Sequence, residues 1–349
     1  MKKLSVISLS LAALLALSSC SGSEQKTSAA SAQAAASTQS STEESSLSYP
    51  VTITVGYSTA EDDPRGIAIA KMKETIEKET GGNVLLEIHP SGELGSDADL
   101  IQGEIDKKVG MTVSSAGNYA AYALRIGVSA LPFLFTDFES AWAFVDSDTM
   151  TEINAELEPF NIHVLSYFDN GFRCVTTSEN VGAVNSVEDM NGLKIRTPEN
   201  QIVMETMSAL GASPQSYPFA QLKDALKDGT FDAQENPIPV IYNNKLYEVQ
   251  KYLAITNHSY DAMPLTIRSD IWNELTPEYR EIIEKAADEA SAENRALVKQ
   301  QTEDFVSKLE EAGMTVTYPE LGQFKDATSG VIDFFASVYG QELIDKIRA

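Results

Sequence analysis

Cysteine and histidine are scarce in this sequence. Its 349 residues include two cysteines, Cys20 and Cys174, and three histidines, His89, His163 and His258. A zinc site gathers several such ligands, but here the histidines are widely separated and no cysteines cluster. The sequence therefore predicts no metal site, and we interpret Cys174 as a small buried apolar residue.

Sequence signatures of enzymes are missing as well. We find no Gly-x-Ser-x-Gly elbow, no His-Glu-x-x-His, no phosphate-binding loop and no dinucleotide fingerprint. The acidic pairs Asp97-Ala98-Asp99 and Asp146-Ser147-Asp148 lack the glycine and the distal carboxylate of a calcium loop, so we interpret them as solvated loop charges. We predict no enzyme and no cofactor. An anchored hydrolase with paired carboxylates is the enzymatic alternative.

Positive charge is also in short supply. The chain has 26 Lys and Arg against 51 Asp and Glu, which gives a formal net charge of -25. Such a field repels nucleic acid, which is not predicted as a partner, and it also opposes binding to anionic membrane surfaces. An anion could bind only through local cations and backbone donors that act against the overall field.

The N-terminus resembles an export signal. In residues 1–19, two lysines precede an apolar run that is shorter than the ~20 residues a spanning helix needs. The run ends in Leu17-Ser18-Ser19-Cys20, the pattern of a bacterial lipobox, which predicts a lipidated Cys20 at the outer face of the cell membrane. An ordinary signal peptide containing a cysteine is the alternative. Residues 20–48, rich in Ser, Ala and Gln, predict a flexible tether.

The rest of the chain alternates strand and helix patterns. Val51, Ile53 and Val55 alternate with polar residues, a helical pattern runs from about Arg65 to Thr80, and a second alternation follows. This βαβ rhythm predicts an α/β fold. The later predicted strands are 163–167, 172–176, 193–196, 253–256 and 264–268, and the later short helices are 201–210 and 219–227.

One long helix is predicted near the C-terminus. Thr276 is a candidate N-cap, Pro277 occupies the first helical position, and Gly313 ends the pattern. At 1.5 Å per residue this helix would be on the order of 50 Å long. Because that exceeds the width of a small domain, we predict that it spans two domains.

Two arginines stand where predicted strands begin or end. Arg173 follows Asn170-Gly171, and Arg196 precedes Thr197-Pro198. Residues at the carboxyl ends of strands in an α/β sheet face the ligand crevice, and an arginine there can bind a carboxylate with two hydrogen bonds. The alternative is that each arginine pairs with one of the many acidic side chains on the surface. Asn236, before Pro237, is either a further polar ligand group or part of a plain turn.

These segments together resemble the extracytoplasmic solute receptors of TRAP transporters, the tripartite ATP-independent uptake systems. The motifs are HPSGELGSD, ALPFLF, NGFR, DMNGLKIRTPEN, LGASPQSYPFAQL, DAQENP and LYEVQKYLAITNH. They occur in family order from about Tyr49 to the C-terminus, so the resemblance covers the whole predicted folded body.

The resemblance implies a two-lobed periplasmic-binding-protein-like α/β fold, with crossing strands and one long helix that spans both lobes. It implies lobe I from 49–170 and 262–302, and lobe II from 171–261 and 303–349. In the family, the arginine of GLKIR pairs with the ligand carboxylate, which is Arg196 here. Arg173, Asn236 and Phe219 match further ligand contacts.

We therefore predict a monomeric receptor that passes a small organic acid to TRAP permease subunits in the membrane. The remaining predicted ligand-binding residues are Tyr57, Asp97, Ser115, Asn118 and Asn170. Because hydroxyl groups require hydrogen-bond partners, these polar residues favour a sugar acid such as a uronate or aldonate. A C4-dicarboxylate or other organic acid is the alternative ligand, and a membrane sensor is the alternative partner.

Overall fold

The computed structural model describes residues 47–348. The predicted export signal, Cys20 and nearly all of the predicted tether lie outside the described residues. Within 47–348, no helix combines the length and the apolar character needed to cross a membrane.

The nine strands within residues 47–348 belong to one mixed sheet. They are β1 (Val51–Gly56), β2 (Val84–His89), β3 (Met111–Val113), β4 (Ile162–Thr177), β5 (Lys194–Thr197), β6 (Ser213–Ser216), β7 (Ala233–Pro237), β8 (Tyr252–Arg268) and β9 (Thr315–Thr317). The strand order is β2-β1-β3-β8-β4-β7-β5-β6, and β9 pairs with β8. The predicted βαβ unit is confirmed, because β1 and β2 are parallel neighbours.

Twelve α-helices are described, with short 3₁₀ turns between some of them. They are α1 (Pro64–Glu79), α2 (Asp97–Ile105), α3 (Ala116–Tyr119), α4 (Phe138–Val145), α5 (Asp148–Asn154), α6 (Gln201–Ala209), α7 (Leu222–Lys227), α8 (Ile238–Asn243), α9 (Ser269–Glu274), α10 (Pro277–Glu311), α11 (Leu321–Tyr339) and α12 (Gln341–Arg348). The helix predicted over 219–227 is a 3₁₀ turn, Phe219–Gln221, followed by α7.

Two strands are much longer than predicted. The segments predicted as two strands around Asn170-Gly171 form the single strand β4, and the two predicted between 253 and 268 form β8. These strands are antiparallel over most of their length, with register shifts that include one between Asp169 and Gly171. Gly171 has a φ of 103°, which favours glycine, so the chain bends here without ending the strand.

The long helix α10 is confirmed with its predicted start. The Thr276 side chain accepts a hydrogen bond from the backbone N–H of Tyr279, Pro277 is the first helical residue, and Gly313 follows the C-cap. Near its start, Ile283 and its neighbours pack into the apolar core beside β1 and β2. Near its end, Phe305 packs into a separate core that includes residues of α7 and α8. The helix therefore joins the two ends of a two-lobed fold.

The C-terminal helices contact both lobes. Phe324 of α11 packs in a core with Val175 and Ile195, whereas Phe335 and Ile344 pack with residues of the first lobe. We predicted residues 303–349 as part of lobe II, and their packing divides between the two sides. The exact lobe boundaries stay a prediction.

Candidate functional site

Two adjoining pockets form a cleft at the strand ends. The inner pocket has a volume of about 40 Å³ and the outer pocket about 110 Å³. Both are lined by Ser58, Asp97, Arg196, Pro198 and Phe219. Since one water needs roughly 10–15 Å³ measured in this way, the inner pocket admits a group the size of a carboxylate.

Arg196 reaches the cleft from the end of β5. This strand lies between β6 and β7 and runs parallel to both, so its carboxyl end opens onto the crevice. The guanidinium donates from Nε (2.8 Å) and Nη2 (2.6 Å) to the carbonyl oxygen of Tyr217. It also lies 5.7 Å from the centre of the Phe219 ring. These contacts hold the cation in place without neutralising it.

The charge of Arg196 is buried and has no counter-ion in the described part of the chain. The side chain is 3% exposed, and no carboxylate of residues 47–348 forms a salt bridge with it. Burial lowers the pKa of Arg196 to about 10, and the nearby Arg173 acts in the same direction while Glu235 opposes it. The group therefore stays cationic at neutral pH in surroundings that disfavour a lone charge.

Arg173 has the opposite environment. In β4 it donates to both carboxylate oxygens of Glu235 and to one oxygen of Asp261. Burial alone would lower the pKa of Arg173, but these two carboxylates raise it above its usual value. Arg173 thus pairs with carboxylates of the protein, but these are buried and not the surface acids of the alternative interpretation. Arg173 still lines the inner pocket.

Asn236 lies in β7, directly opposite Cys174 of β4, so it is part of a strand and not of a plain turn. Its Oδ1 accepts from Arg173 Nη2 at 3.3 Å, and its Nδ2 donates to Gln234 Oε1 at 2.5 Å.

Cys174 is buried, as predicted, and burial raises the pKa of its thiol to about 11.

Ser115 and Asn170 meet at a shared carboxylate. Ser115 Oγ donates to one oxygen of Asp261, and Asn170 Nδ2 donates to the other at 2.7 Å. Both residues line the inner pocket. Asp261 thus holds three predicted ligand-binding side chains together, because Arg173 also donates to it.

Asp97 and Asn118 present unused acceptors. The solvated-loop interpretation of Asp97 was wrong: the residue begins α2, is half-buried, and lines both pockets. One of its oxygens faces the backbone N–H of Ser115 at 3.5 Å, while Oδ1 is buried without a hydrogen-bond partner among the described residues. Asn118 lines the outer pocket, and its Oδ1 is likewise without a partner in the described part of the chain.

Tyr57 does not reach the cleft. It is 1% exposed and belongs to the core beside β1, and burial raises the pKa of its hydroxyl to about 12. The physical reason lies in the strand period. Tyr57 follows Ile53 and Val55 at intervals of two, so all three point to the same core face.

Several cleft residues were not predicted. Ser58, Thr59 and Arg65 line the inner pocket beside the end of β1. Glu235 positions Arg173, and His258 lies behind it with Nε2 3.4 Å from a Glu235 oxygen. Burial alone would raise the pKa of Glu235, but Arg173 and His258 bring it below the usual value. The position of Glu235 inside the DAQENP motif was the available signal.

A two-lobed α/β body with a polar cleft at its strand ends, lined by a buried arginine that forms no salt bridge within residues 47–348, is the arrangement expected of a solute-binding protein. Residues 55–338 match the family model described as DctP, bacterial extracellular solute-binding protein, family 7. The chain belongs to this family, and the resemblance to TRAP solute receptors is confirmed.

Within residues 47–348, no group of three or more His, Cys, Asp or Glu side chains is placed to hold a metal ion.

Individual relatives bind or are named for different acids. The chain is 32% identical over 265 residues to the 2,3-diketo-L-gulonate-binding periplasmic protein YiaO of Escherichia coli K12, covering 76% of this chain and 80% of that protein. It is 32% identical over 286 residues to the sialic acid-binding periplasmic protein SiaP of Vibrio cholerae, covering 80% and 87% respectively. A TRAP periplasmic solute binding protein from Polaromonas sp. JS666, solved bound to D-erythronate, is 28% identical with a TM-score of 0.83, covering 86% of this chain and 98% of that one.

Proposed function

We propose that this protein is the receptor of a TRAP-type uptake system, and that it binds a hydroxylated organic acid, a sugar acid such as a uronate or aldonate. The carboxylate of the ligand pairs with Arg196. The observation that carries this proposal is the burial of the Arg196 guanidinium in the cleft without a salt bridge to any carboxylate of residues 47–348.

A buried cation without a counter-ion is costly in the empty protein. An incoming carboxylate relieves that cost and gains charge-assisted hydrogen bonds in surroundings where water screens little. The carbonyl of Tyr217 fixes Nε and Nη2, whereas Nη1 has no hydrogen-bond partner among the described residues. The cation is thus held in position before the ligand arrives, which limits the entropy lost on binding.

Hydroxyl groups on the ligand are favoured by the free acceptors in the cleft. Asp97 Oδ1 and Asn118 Oδ1 need donors, and a plain dianion has none to offer. A polyhydroxy acid supplies donors to these oxygens while its carboxylate occupies Arg196. The named or bound ligands of the three relatives above are hydroxylated acids, which supports this class of ligand.

Closure of the cleft completes the binding cycle. The lobes move about the irregular middle of β4 and β8, and the ligand favours the closed state only to the extent that it binds that state better. The closed receptor then docks on the permease subunits of the membrane. We also propose that the receptor acts as a monomer, held near the permease by lipid on Cys20.

A ligand panel tests the proposal. The midpoint of thermal unfolding of the purified protein is measured with uronates, aldonates, C4-dicarboxylates and the neutral sugars that match them. A ligand at about 100 times its dissociation constant stabilises the folded state by about 2.7 kcal/mol, which raises the midpoint by a few degrees. A shift with a sugar acid and none with its neutral counterpart supports the proposal. Equal shifts with both would contradict it.

A further inference from the structure

A second buried arginine lines the inner pocket from the first lobe. Asp63 caps the N-terminus of α1 by accepting a hydrogen bond from the backbone N–H of Arg65 at 3.2 Å, and Pro64 occupies the first helical position. This geometry places Arg65 in the first turn, where its side chain turns inward and is 3% exposed. It lines the same pocket as Arg173 and Arg196.

The hydrogen-bonding capacity of Arg65 is poorly used. Nη1 donates to the carbonyl oxygen of Val113 at 3.2 Å and lies 3.4 Å from Ser58 Oγ. Nη2 contacts Met263 Sδ at 2.6 Å, and a thioether is a weak acceptor. Nε is buried and has no hydrogen-bond partner in the described part of the chain.

No protein carboxylate pairs with the Arg65 guanidinium within residues 47–348. Asp63 contacts the backbone of Arg65 and forms no salt bridge with its guanidinium, and its second oxygen has no hydrogen-bond partner there. Burial raises the pKa of Asp63, although the nearby charge of Arg65 acts to lower it. Glu235 and Asp261 are both engaged with Arg173. Two arginines of the inner pocket, Arg65 and Arg196, therefore have no salt bridge within residues 47–348. A ligand with a single carboxylate can pair with only one of them.

We propose that the ligand carries a second acceptor group, either a second carboxylate or a carbonyl oxygen, that binds Arg65. Arginine only donates hydrogen bonds, so an oxygen without a proton of its own suits it better than a hydroxyl group, which the free acceptors Asp97 and Asn118 can use. Arg65 is then a specificity-determining residue that selects sugar diacids or oxo acids over simple aldonates. This inference rests on the proposed function and deepens it.

The test compares three acids that differ in one group. D-Gluconate has one carboxylate, D-glucarate has two, and 2-keto-D-gluconate adds a carbonyl beside its carboxylate in its open-chain form, which is in equilibrium with cyclic hemiketals. Affinities are measured by calorimetry on the wild-type protein and on Arg65→Gln. We expect the wild type to prefer D-glucarate or 2-keto-D-gluconate, and Arg65→Gln to weaken the preferred acid about 10- to 100-fold while weakening D-gluconate less than about threefold. If Arg65→Gln loses the preference for D-glucarate, the second group is a carboxylate. If it loses the preference for 2-keto-D-gluconate, the second group is a carbonyl.

Equal weakening of all three acids, no weakening, or a wild-type preference for D-gluconate overturns the inference. Arg125→Gln is the matched control, because Arg125 pairs with Glu156 away from the cleft. If Arg65→Gln does not fold, Arg65→Lys keeps the charge without the planar fork, and the same change in preference is sought there. Arg196→Met separates the two proposals: it should weaken all three acids, and a normal affinity in that variant contradicts the proposed function itself.

Discussion

Gly117 of α3 and Asn200 at the start of α6 are in direct contact beside the outer pocket. A Cβ atom placed on Gly117 would lie 1.7 Å from Asn200 Nδ2. Asn200 cannot easily move aside, because its Oδ1 accepts from the backbone N–H groups of Ile202 and Val203 and so caps α6. The contact leaves no room for a side chain at position 117.

Gly117 belongs to predicted lobe I and Asn200 to predicted lobe II, so a side chain at position 117 would hold the two lobes apart. Gly117→Ala should therefore impede closure of the cleft. The φ of Gly117 is not positive, so the substitution strains the contact with Asn200 and not the backbone of residue 117 itself. We expect ligand affinity to fall at least about tenfold, equivalent to about 1.4 kcal/mol, because the ligand must drive a less favourable closure. Calorimetry gives the affinity, and small-angle X-ray scattering shows whether added ligand still compacts the protein.

Gly330→Ala is the control for this substitution. Gly330 lies inside α11, and a Cβ there would meet no atom within 4 Å. Affinity should be unchanged, and the helix should gain up to about 1 kcal/mol of stability. Normal compaction of Gly117→Ala by ligand would show that the contact with Asn200 does not limit closure.

Arg196→Met should weaken ligand binding without destabilising the ligand-free protein. Loss of the partner of a buried carboxylate typically costs about 2 to 5 kcal/mol, so we expect affinity to fall roughly 30-fold to several thousand-fold. Without ligand, the free energy of unfolding should stay the same or rise, because the substitution removes a buried charge that has no salt bridge. Urea denaturation and calorimetry on the same samples measure both quantities. A marked loss of stability without ligand would mean that Arg196 has a structural role.

Arg173→Met, in contrast, should destabilise the ligand-free protein. It leaves Glu235 and Asp261 buried without their cation, and breaking a buried ion pair typically destabilises a protein by about 3–5 kcal/mol. We expect this loss in urea denaturation without ligand. The double variant Arg173→Met/Glu235→Gln should recover part of it, since one uncompensated charge is removed. Equal stability of Arg173→Met and Arg196→Met would contradict the distinction between the two arginines.

That distinction could not be predicted from the sequence. Arg173 and Arg196 both lie at an end of a predicted strand and both match family motifs. Their difference depends on Glu235 and Asp261, which are 62 and 88 positions from Arg173 along the chain. Local periodicity predicts elements such as α1 and α10, whereas the pairing of buried charges depends on the tertiary fold.

The same limit explains the divided strands. Asn170-Gly171 interrupts the apolar alternation of β4, and polar residues such as His258 and Asp261 interrupt that of β8. Polar groups inside a strand resemble a loop when only neighbours in sequence are considered. In the fold, Asp261 gathers donors from Ser115, Asn170 and Arg173, so these positions are buried in a cleft and not exposed. Tyr57 is a different case, because its alternation with Val55 already placed it on the core face.

A last prediction concerns pH and the bend in β4. Asp169 is fully buried there, and it accepts hydrogen bonds from Trp142 Nε1 and from the backbone N–H of Gly171, each at 2.6 Å. Burial nevertheless raises the pKa of Asp169 to about 7. The ordinary value in an unfolded chain is about 3.9, so between these limits the folded state holds a proton that the unfolded state has released. Stability from this group therefore falls as the pH rises from about 4 to about 7, and then levels off.

Comparison of the wild type with Asp169→Asn isolates this contribution from other buried carboxyl groups. The free energy of unfolding is measured by urea denaturation of both proteins at several values from about pH 5 to about pH 8. As the pH rises toward about 7, we expect the wild type to lose stability relative to the variant by up to about 1.4 kcal/mol per pH unit, which is the effect of one proton. Above about pH 7 the difference between the two proteins should stay constant. A difference between the two proteins that stays constant over the whole range would mean that Asp169 is already ionised in the fold, and that its hydrogen bonds from Trp142 and Gly171 outweigh its burial.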